Sequence, residues 1–227
     1  MGKSTADAKK LKKKYDDFHK DECSRIGDKG NQVLYDLCNK YPSHTDEDKI
    51  RAKIWLIGRA YSAAIERRKP NHKYSKLSSD EFYSIVTRKI ASSDLDQHIK
   101  KIRKNIKLLN EANIKIICDA HHYLTDKLFK FLTGQDKRSL ASKYLHFHRP
   151  LVPIYDSRAK KSITRIFREN RCLKECERKL NIKKSNSDKE YQSFVEKIFC
   201  FQSFLLKKGC KKCTMRDIDK YLILGGR

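Results

Sequence analysis

The chain has 227 residues, 38% hydrophobic and 36% charged, and its 53 Lys and Arg against 28 Asp and Glu give a formal net charge of +25. This length supports one or two domains with an apolar core, and no segment is apolar enough for long enough to cross a bilayer. The first residues lack the apolar stretch of a signal peptide, so we expect a cytoplasmic protein with no membrane partner. The excess of cations makes a nucleic acid the leading candidate partner, because binding releases the counterions of a polyanion.

The spacing of apolar residues predicts an all-α fold. Only 4 Pro and 8 Gly interrupt the chain, and apolar residues recur three and four positions apart over long stretches. We divide the chain into a basic N-terminal helical arm (1–44), a helical half (45–132) and a second half (133–227) that carries a hairpin, a loop and C-terminal helices. The arm contains a Lys-rich helix from Thr5 to Cys23, which either contacts DNA or is a solvated helix.

The helical half opens on a capping signal. Thr45 is followed by three acidic residues, which predicts an N-cap and a helix behind it. That helix carries a broad apolar stripe, and Gly58 allows close packing, so we expect it to be the central core helix. Arg59 and Tyr61 lie on or beside the stripe and either reach the surface or face a cleft.

A tight turn breaks the helical pattern near the middle of the chain. Further helices are predicted from Ser79 and after an Asp94 cap, and helical spacing continues through Lys130. Gly134 then supplies the turn, and Asp136 can cap the helix that follows it.

The segment from Leu132 to Arg158 reads LTGQDKRSLASKYLHFHRPLVPIYDSR. Pro150 and Pro153 enforce an extended connection after the second helix. The next helix is predicted to begin near Ser157, which places Asp156 at or beside its positive N-terminal end. A carboxylate in that position is held ionised.

Two short helices joined by a Gly turn and followed by this loop resemble the helix-hairpin-helix DNA glycosylases. The stretch RSLASKYLHF is similar to the hairpin helix of the adenine glycosylase branch, and PIYD resembles the Pro-Ile-Leu-Asp motif of that branch. Ser139 precedes Asp156 by 17 residues, within a residue or so of the spacing in that branch. More narrowly, ASKYLHFHRP followed by PIYDS resembles the bacterial proteins grouped as OGG-like (similar to 8-oxoguanine glycosylases), some of which are suspected in antiviral defence.

The resemblance implies two helical halves around a cleft and a monomeric DNA glycosylase. Such an enzyme flips a damaged or modified base out of double-stranded DNA, for example a hypermodified phage base, and cleaves its N-glycosidic bond to leave an abasic site. Asp156 matches the catalytic carboxylate, which stabilises the positive charge on the sugar and orients the attacking water. No cofactor is required for this chemistry.

Two alternatives depend on the hairpin sequence. The position of the Schiff-base lysine in lyase-competent relatives matches Ser139, which implies a monofunctional enzyme, but a slide of two residues places Lys137 there and permits strand nicking. The hairpin reads LTGQD at residues 132–136. The family has a Pro at the position of Thr133 and a second Gly at the position of Asp136. The departure argues against a backbone-coordinated cation, and it keeps open a catalytically inactive helical protein that binds nucleic acid.

Side chains near the hairpin are candidates for contacts with the base and the phosphates. The candidate pocket residues, which could equally pack under the hairpin, are Tyr144, His146, His148 and Tyr155, with Arg59 and Tyr61 added from the central helix that faces the hairpin in relatives. The candidate DNA contacts, which could equally form a solvated basic face, are Gly134, Lys137, Arg138, Lys143 and Arg158.

Two close pairs of cysteines lie toward the C-terminal end, Cys172 with Cys176 and Cys210 with Cys213. Two such pairs could form a structural zinc site with four thiolate ligands, or all four could be free thiols. Thr214 with Asp217 predicts a capping box for a last helix.

Overall fold

The computed structural model describes residues 2–20, 28–66, 74, 76–180 and 188–225. Within these ranges the chain forms helices and no strand, which confirms the all-α prediction. The helices of the first half are α1 (Gly2–Lys20), α2 (Asp28–Lys40), α3 (Glu47–Ala60), α4 (Ser79–Ala91), α5 (Leu95–Lys101) and α6 (Glu111–His122). A π-helical segment (Tyr123–Lys130) and the short α7 (Phe131–Thr133) continue α6 to the turn. The remaining helices are α8 (Arg138–His148), α9 (Ser157–Glu169), α10 (Arg171–Lys179), α11 (Lys189–Lys207) and α12 (Met215–Lys220), which a π-helical turn (Tyr221–Gly225) extends.

Side-chain caps determine where several helices begin. The prediction of Thr45 as the cap of α3 was wrong by one residue: Asp46 accepts the backbone N–H of Lys49 at 3.1 Å. The hydroxyl of Thr45 lies instead 3.4 Å from that of Ser43. The capping box of Thr214 and Asp217 at the start of α12 is confirmed.

The turn between α7 and α8 has two residues in the left-handed region. Gly134 has φ 70°, as expected for the glycine of a tight turn, and Lys137 has φ 44°. Lys137, not Asp136, precedes α8, and it makes no side-chain cap. The prediction that Asp136 caps α8 was therefore wrong, because its carboxylate pairs with the guanidinium of Arg138 at 2.9 Å.

A single connected cluster of buried apolar side chains runs from α1 to the turn after α12. The three segments 1–44, 45–132 and 133–227 thus share one core, and the boundaries between them stay a prediction. In α3, Ile50, Ile54 and Ile57 are fully buried, and the helix packs against α2, α4 and α8, as expected of a central helix. A Cβ on Gly58 would lie 3.0 Å from the Cα of Ala64, so this close approach favours glycine.

The connections around α8 and α9 place four elements around one opening. Helix α8 packs against α2, α3 and α6, while α9 packs against α10, α11 and the turn after α12. Residues from α2, from the C-terminal end of α3, from the start of α9 and from α12 border this opening together. None of the described helices combines the length and hydropathy that a membrane span needs.

Candidate active site

An open cavity of about 590 Å³ lies between α2, the end of α3, the start of α9 and α12. Asp156 and Arg158 border it from α9, Tyr61 from the end of α3, and Arg216 and Asp219 from α12. Its volume matches that of small-molecule sites in proteins. A second cavity of about 440 Å³ between α1 and the C-terminal end of α9 contains none of the predicted site residues.

Asp156 is the N-cap of α9, as the sequence predicts. The extended loop that contains Pro153 delivers it with φ −130° and ψ 148°, and its Oδ1 accepts the backbone N–H of Arg158 at 2.9 Å. The side chain is 25% exposed, so one part of the carboxylate faces the cavity. The positive end of the helix dipole stabilises a negative charge here.

Lys143 contacts Asp156 from the interior of the protein. Its Nζ lies 3.3 Å from Oδ2 of Asp156 and donates to Oγ of Ser139 at 2.8 Å. Its side chain is only 2% exposed, and the ring centre of Tyr61 lies 5.2 Å from Nζ. Burial lowers the pKa of Lys143, while the charge of Asp156 opposes that shift. Lys143 is thus buried, whereas the sequence predicted that it contacts DNA phosphates or lies on a solvated basic face.

Asp219 is a second carboxyl group at the same cavity, and the sequence analysis missed it. It is 5% exposed; its Oδ2 lies 3.1 Å from Nη1 of Arg216, and its buried Oδ1 has no hydrogen-bond partner among the described residues. Burial raises the pKa of Asp219 to about 7, against the charges of Arg216 and Lys143, and the charge of Asp156 adds to the rise. The available signal was an Asp on the face of α12 that carries Met215 and Leu222, both buried.

Three predicted pocket residues on α8 lie in the core. Tyr144, His146 and His148 are each at most 2% exposed, and none borders the cavity. Nε2 of His44 accepts the hydroxyl of Tyr144 at 2.7 Å. His146 donates from Nδ1 to the carbonyl of Val152 at 2.7 Å. These contacts give the side chains a structural role under the hairpin, which was the second possibility that the sequence allowed.

The other three predicted pocket residues lie at different places, and one of them borders the cavity. Tyr61 borders the cavity and donates to Oδ1 of Asn31. Arg59 is on the other side of the end of α3, where it pairs with Glu66. Tyr155 borders a different groove and donates to Glu190 at 2.5 Å.

That groove follows the exposed side of α9 and has a volume of about 560 Å³. Basic side chains dominate its wall, namely Lys160, Lys161, Arg165 and Arg168. Ser157 borders both the groove and the cavity, so the two openings are adjacent. These cations were not among the predicted DNA contacts, although their spacing on a strongly amphipathic helix was visible in the sequence.

The residues predicted to contact phosphates differ in their ion pairs within the protein and in their exposure. Arg138 is paired with Asp136, Asp188 and Glu190, so its charge is balanced within the protein. Arg158 is exposed at the rim of the cavity. Gly134 is exposed at the turn, and Lys137 beside it is half-buried.

The cysteine pairs do not assemble into the four-thiolate site that the sequence allowed. Among the described residues, no three His, Cys, Asp or Glu side chains are grouped so that they could hold a metal ion. Cys176, on the same helix as Cys172, interacts with Cys200, while Cys213 donates to the carbonyl of Cys210 at 3.3 Å. Burial raises the pKa of both Cys210 and Cys213 to about 11.

Comparison with known proteins gave no match to a protein-family model, to a curated protein or to a solved structure. The function is therefore inferred from the chemistry of the cavity and from the resemblance of the hairpin and loop motifs.

Proposed function

We propose that the protein is a DNA glycosylase that cleaves the N-glycosidic bond of a base flipped out of double-stranded DNA, with Asp156 as the catalytic carboxylate. The observation that carries the proposal is the position of Asp156, at the positive end of α9 and on the wall of an open cavity. Cleavage makes the deoxyribose cationic, and a fixed carboxylate stabilises that charge and orients the attacking water. The resemblance to the OGG-like branch points to a damaged base or a hypermodified phage base.

The charge of the surface beside the cavity supports DNA as the partner. The groove along α9 presents Lys161, Arg165 and Arg168 next to the opening. Basic side chains in such a groove bind the phosphates of the flanking nucleotides, and these contacts offset the free energy of unstacking the flipped base. The Tyr61 ring on the cavity wall offers a surface on which a base can stack.

A catalytically inactive nucleic-acid-binding protein is the second candidate. The hairpin sequence supports it, because Thr133 and Asp136 stand where the family has a Pro and a second Gly. A chain that has lost this pattern can keep the helical fold and the basic surface without the chemistry.

Incubation with modified DNA separates the candidates. The substrates are duplexes that contain 8-oxoguanine, an alkylated purine or a bulky cytosine derivative, together with hypermodified phage DNA. We expect free base from at least one of them and no strand break until alkali is added. An adduct trapped by borohydride would instead support a lyase that uses Lys137, and DNA that is bound with every base retained would support the inactive binder.

Substitution Asp156→Asn tests the role of the carboxylate. Asparagine caps helices as well as aspartate does, so we expect the protein to fold and to bind DNA, with a lower stability because the buried Lys143 loses its charged partner. Base excision should fall by at least ~100-fold, the usual scale for removing a stabilising charge. The matched control is Asp46→Asn at the cap of α3, which is outside the cavity and is expected to keep full activity. An active Asp156→Asn protein would contradict the assignment.

A further inference from the structure

Two carboxyl groups border the cavity, and their surroundings differ. Asp156 accepts the Arg158 backbone N–H, pairs with Lys143 and is 25% exposed. Asp219 is enclosed, and it also borders a small void lined by apolar residues such as Phe194 and Ile198. In proteins, two carboxyl groups in different environments can take the roles of general acid and general base.

The hydrogen bonds of Asp219 leave one oxygen for a proton. Oδ2 accepts a hydrogen bond from the guanidinium of Arg216 at 3.1 Å. Oδ2 is therefore the acceptor oxygen of this carboxyl group. Among the described residues, Oδ1 has no partner, and neither has Nε of Arg216. Rotation about the Cβ–Cγ bond, which is broad for aspartate, can present Oδ1–H to a group in the cavity.

We propose that Asp219 is the general acid of the reaction and protonates the departing nucleobase. The inference rests on the proposed function. As the C1′–N bond breaks, its electron pair stays on the base, and the base takes the proton from Oδ1 of Asp219. Water forms the new C1′–O bond, and its proton passes to the carboxylate of Asp156. The sum is hydrolysis, and exchange with solvent restores the protons of both carboxyl groups.

The charges around Asp219 come from three other elements and from its own helix. Arg216 on α12 and Lys143 on α8 favour the anion, whereas Asp156 at the start of α9 favours the neutral acid. Tyr61 at the end of α3 also interacts with Asp219. Burial outweighs the two cations and raises the pKa of Asp219 to about 7, so the acid form is present at neutral pH and is lost above it.

The proposal also restricts the substrate. A neutral base needs the proton in order to leave, whereas a base that already carries a positive charge, such as 7-methylguanine, leaves as a neutral molecule without it. Asp219 therefore matters for neutral bases and not for cationic ones.

The test is the pH dependence of single-turnover excision between pH 5 and 9, on a substrate that the wild-type protein excises. We expect the wild-type rate to fall above about pH 7, about tenfold for each pH unit, as the acid form of Asp219 disappears. Asp219→Asn should be about 100-fold slower with a neutral base and should lack this decline. Asp219→Glu should keep the decline, and the control Asp119→Asn, which is outside the cavity, should behave as wild type.

Two readouts separate this proposal from the function itself. If the wild-type protein excises a base and Asp219→Asn keeps both the rate and the decline, Asp219 is not the acid while the glycosylase assignment stands. A wild-type protein that excises no base removes both proposals. The titration of the Asp219 carboxyl carbon, followed by NMR and assigned with the Asn variant, needs no turnover, and a midpoint near 4 would overturn the inference.

Discussion

Lys143 connects the core to the candidate catalytic carboxylate. Its ammonium group has two oxygen partners, on Ser139 and Asp156, and almost no access to solvent. A cation held in this way fixes the position of the Asp156 carboxylate and leaves the cavity side of that carboxylate open. In the proposed reaction Lys143 is a positioning residue.

Substitution Lys143→Met tests this role at the level of one side chain. The side chain keeps much of its volume and loses its charge, so Asp156 loses its fixed partner. We expect excision to slow by about 10- to 100-fold, the cost of losing precise orientation. The slope of log affinity for DNA against log salt concentration should not change, because every phosphate-binding cation is still present. A flatter slope would instead favour the phosphate role that the sequence suggested.

The direction of Lys143 could not be deduced from the pattern of α8. The sequence shows an apolar face at Leu140, Ala141, Tyr144 and Leu145, which leaves Lys143 on the other side. In the fold, every residue of α8 from 140 to 148 is buried, because neighbouring elements cover all of its sides. Periodicity predicts the inward face of a surface helix and gives no guidance for a helix that is surrounded.

Helix α9 combines, within one element, the two properties that a glycosylase needs. Its N-terminal end holds Asp156, and its exposed side carries a row of cations beside the same opening. The proline-containing loop and the Asp156 cap could be predicted from the sequence, because both depend on adjacent residues. The row of cations was also visible, as the polar side of an amphipathic helix, but its position beside the cavity depends on how α2, the end of α3 and α12 pack around the start of α9.

Neutralising the row of cations on α9 tests it as a DNA-binding surface. The triple variant Lys161→Gln, Arg165→Gln and Arg168→Gln should bind DNA more weakly. Its slope of log affinity against log salt concentration should be smaller by about 2 to 3, since each phosphate that a cation neutralises adds about 0.9 to that slope. Base preference among the bound substrates should be unchanged, because phosphate binding carries no sequence information.

The matched control removes the same charge elsewhere. Arg103, Lys104 and Lys107 are exposed in the connection between α5 and α6 and border neither the cavity nor the groove. Their replacement by Gln should change the slope by less than the α9 variant does. Equal effects of the two triple variants would mean that overall charge, and not the groove, attracts DNA.

Buried histidines make the free energy of unfolding depend on pH. Burial lowers the pKa of His44, His121 and His146 to about 4, below the ordinary value near 6.5. Their neutral forms are part of the core, so their contribution is present above pH 6.5 and is lost as the pH falls toward 4. Asp219 acts in the opposite direction, because the folded protein binds its proton between about pH 7 and pH 4.

We expect the free energy of unfolding to fall between pH 7 and pH 5. Each of the three histidines lowers the free energy of unfolding by about 2 kcal/mol over this range, and Asp219 raises it by about the same amount as one histidine lowers it. Urea titrations followed by circular dichroism at the two pH values measure the change. The variant Asp219→Asn lacks the compensating proton, so its stability should fall further than that of the wild type. A stability that stays constant to pH 5 would show that these histidines accept protons in the folded state.

The amino-acid sequence was sufficient to predict the helical class, the excess of positive charge, the glycine turn and the cap of α9 by Asp156. These features depend on composition, on periodicity or on residues within one turn of each other, so local physical chemistry accounts for them. The packing of the helices was needed to show that Asp219 lies at the same cavity as Asp156 and that Lys143 points inward. It was also needed to place Tyr144, His146 and His148 in the core and to separate the cysteine pairs. Burial and electrostatic coupling arise between residues that are distant along the chain, and for that reason no local pattern reveals them.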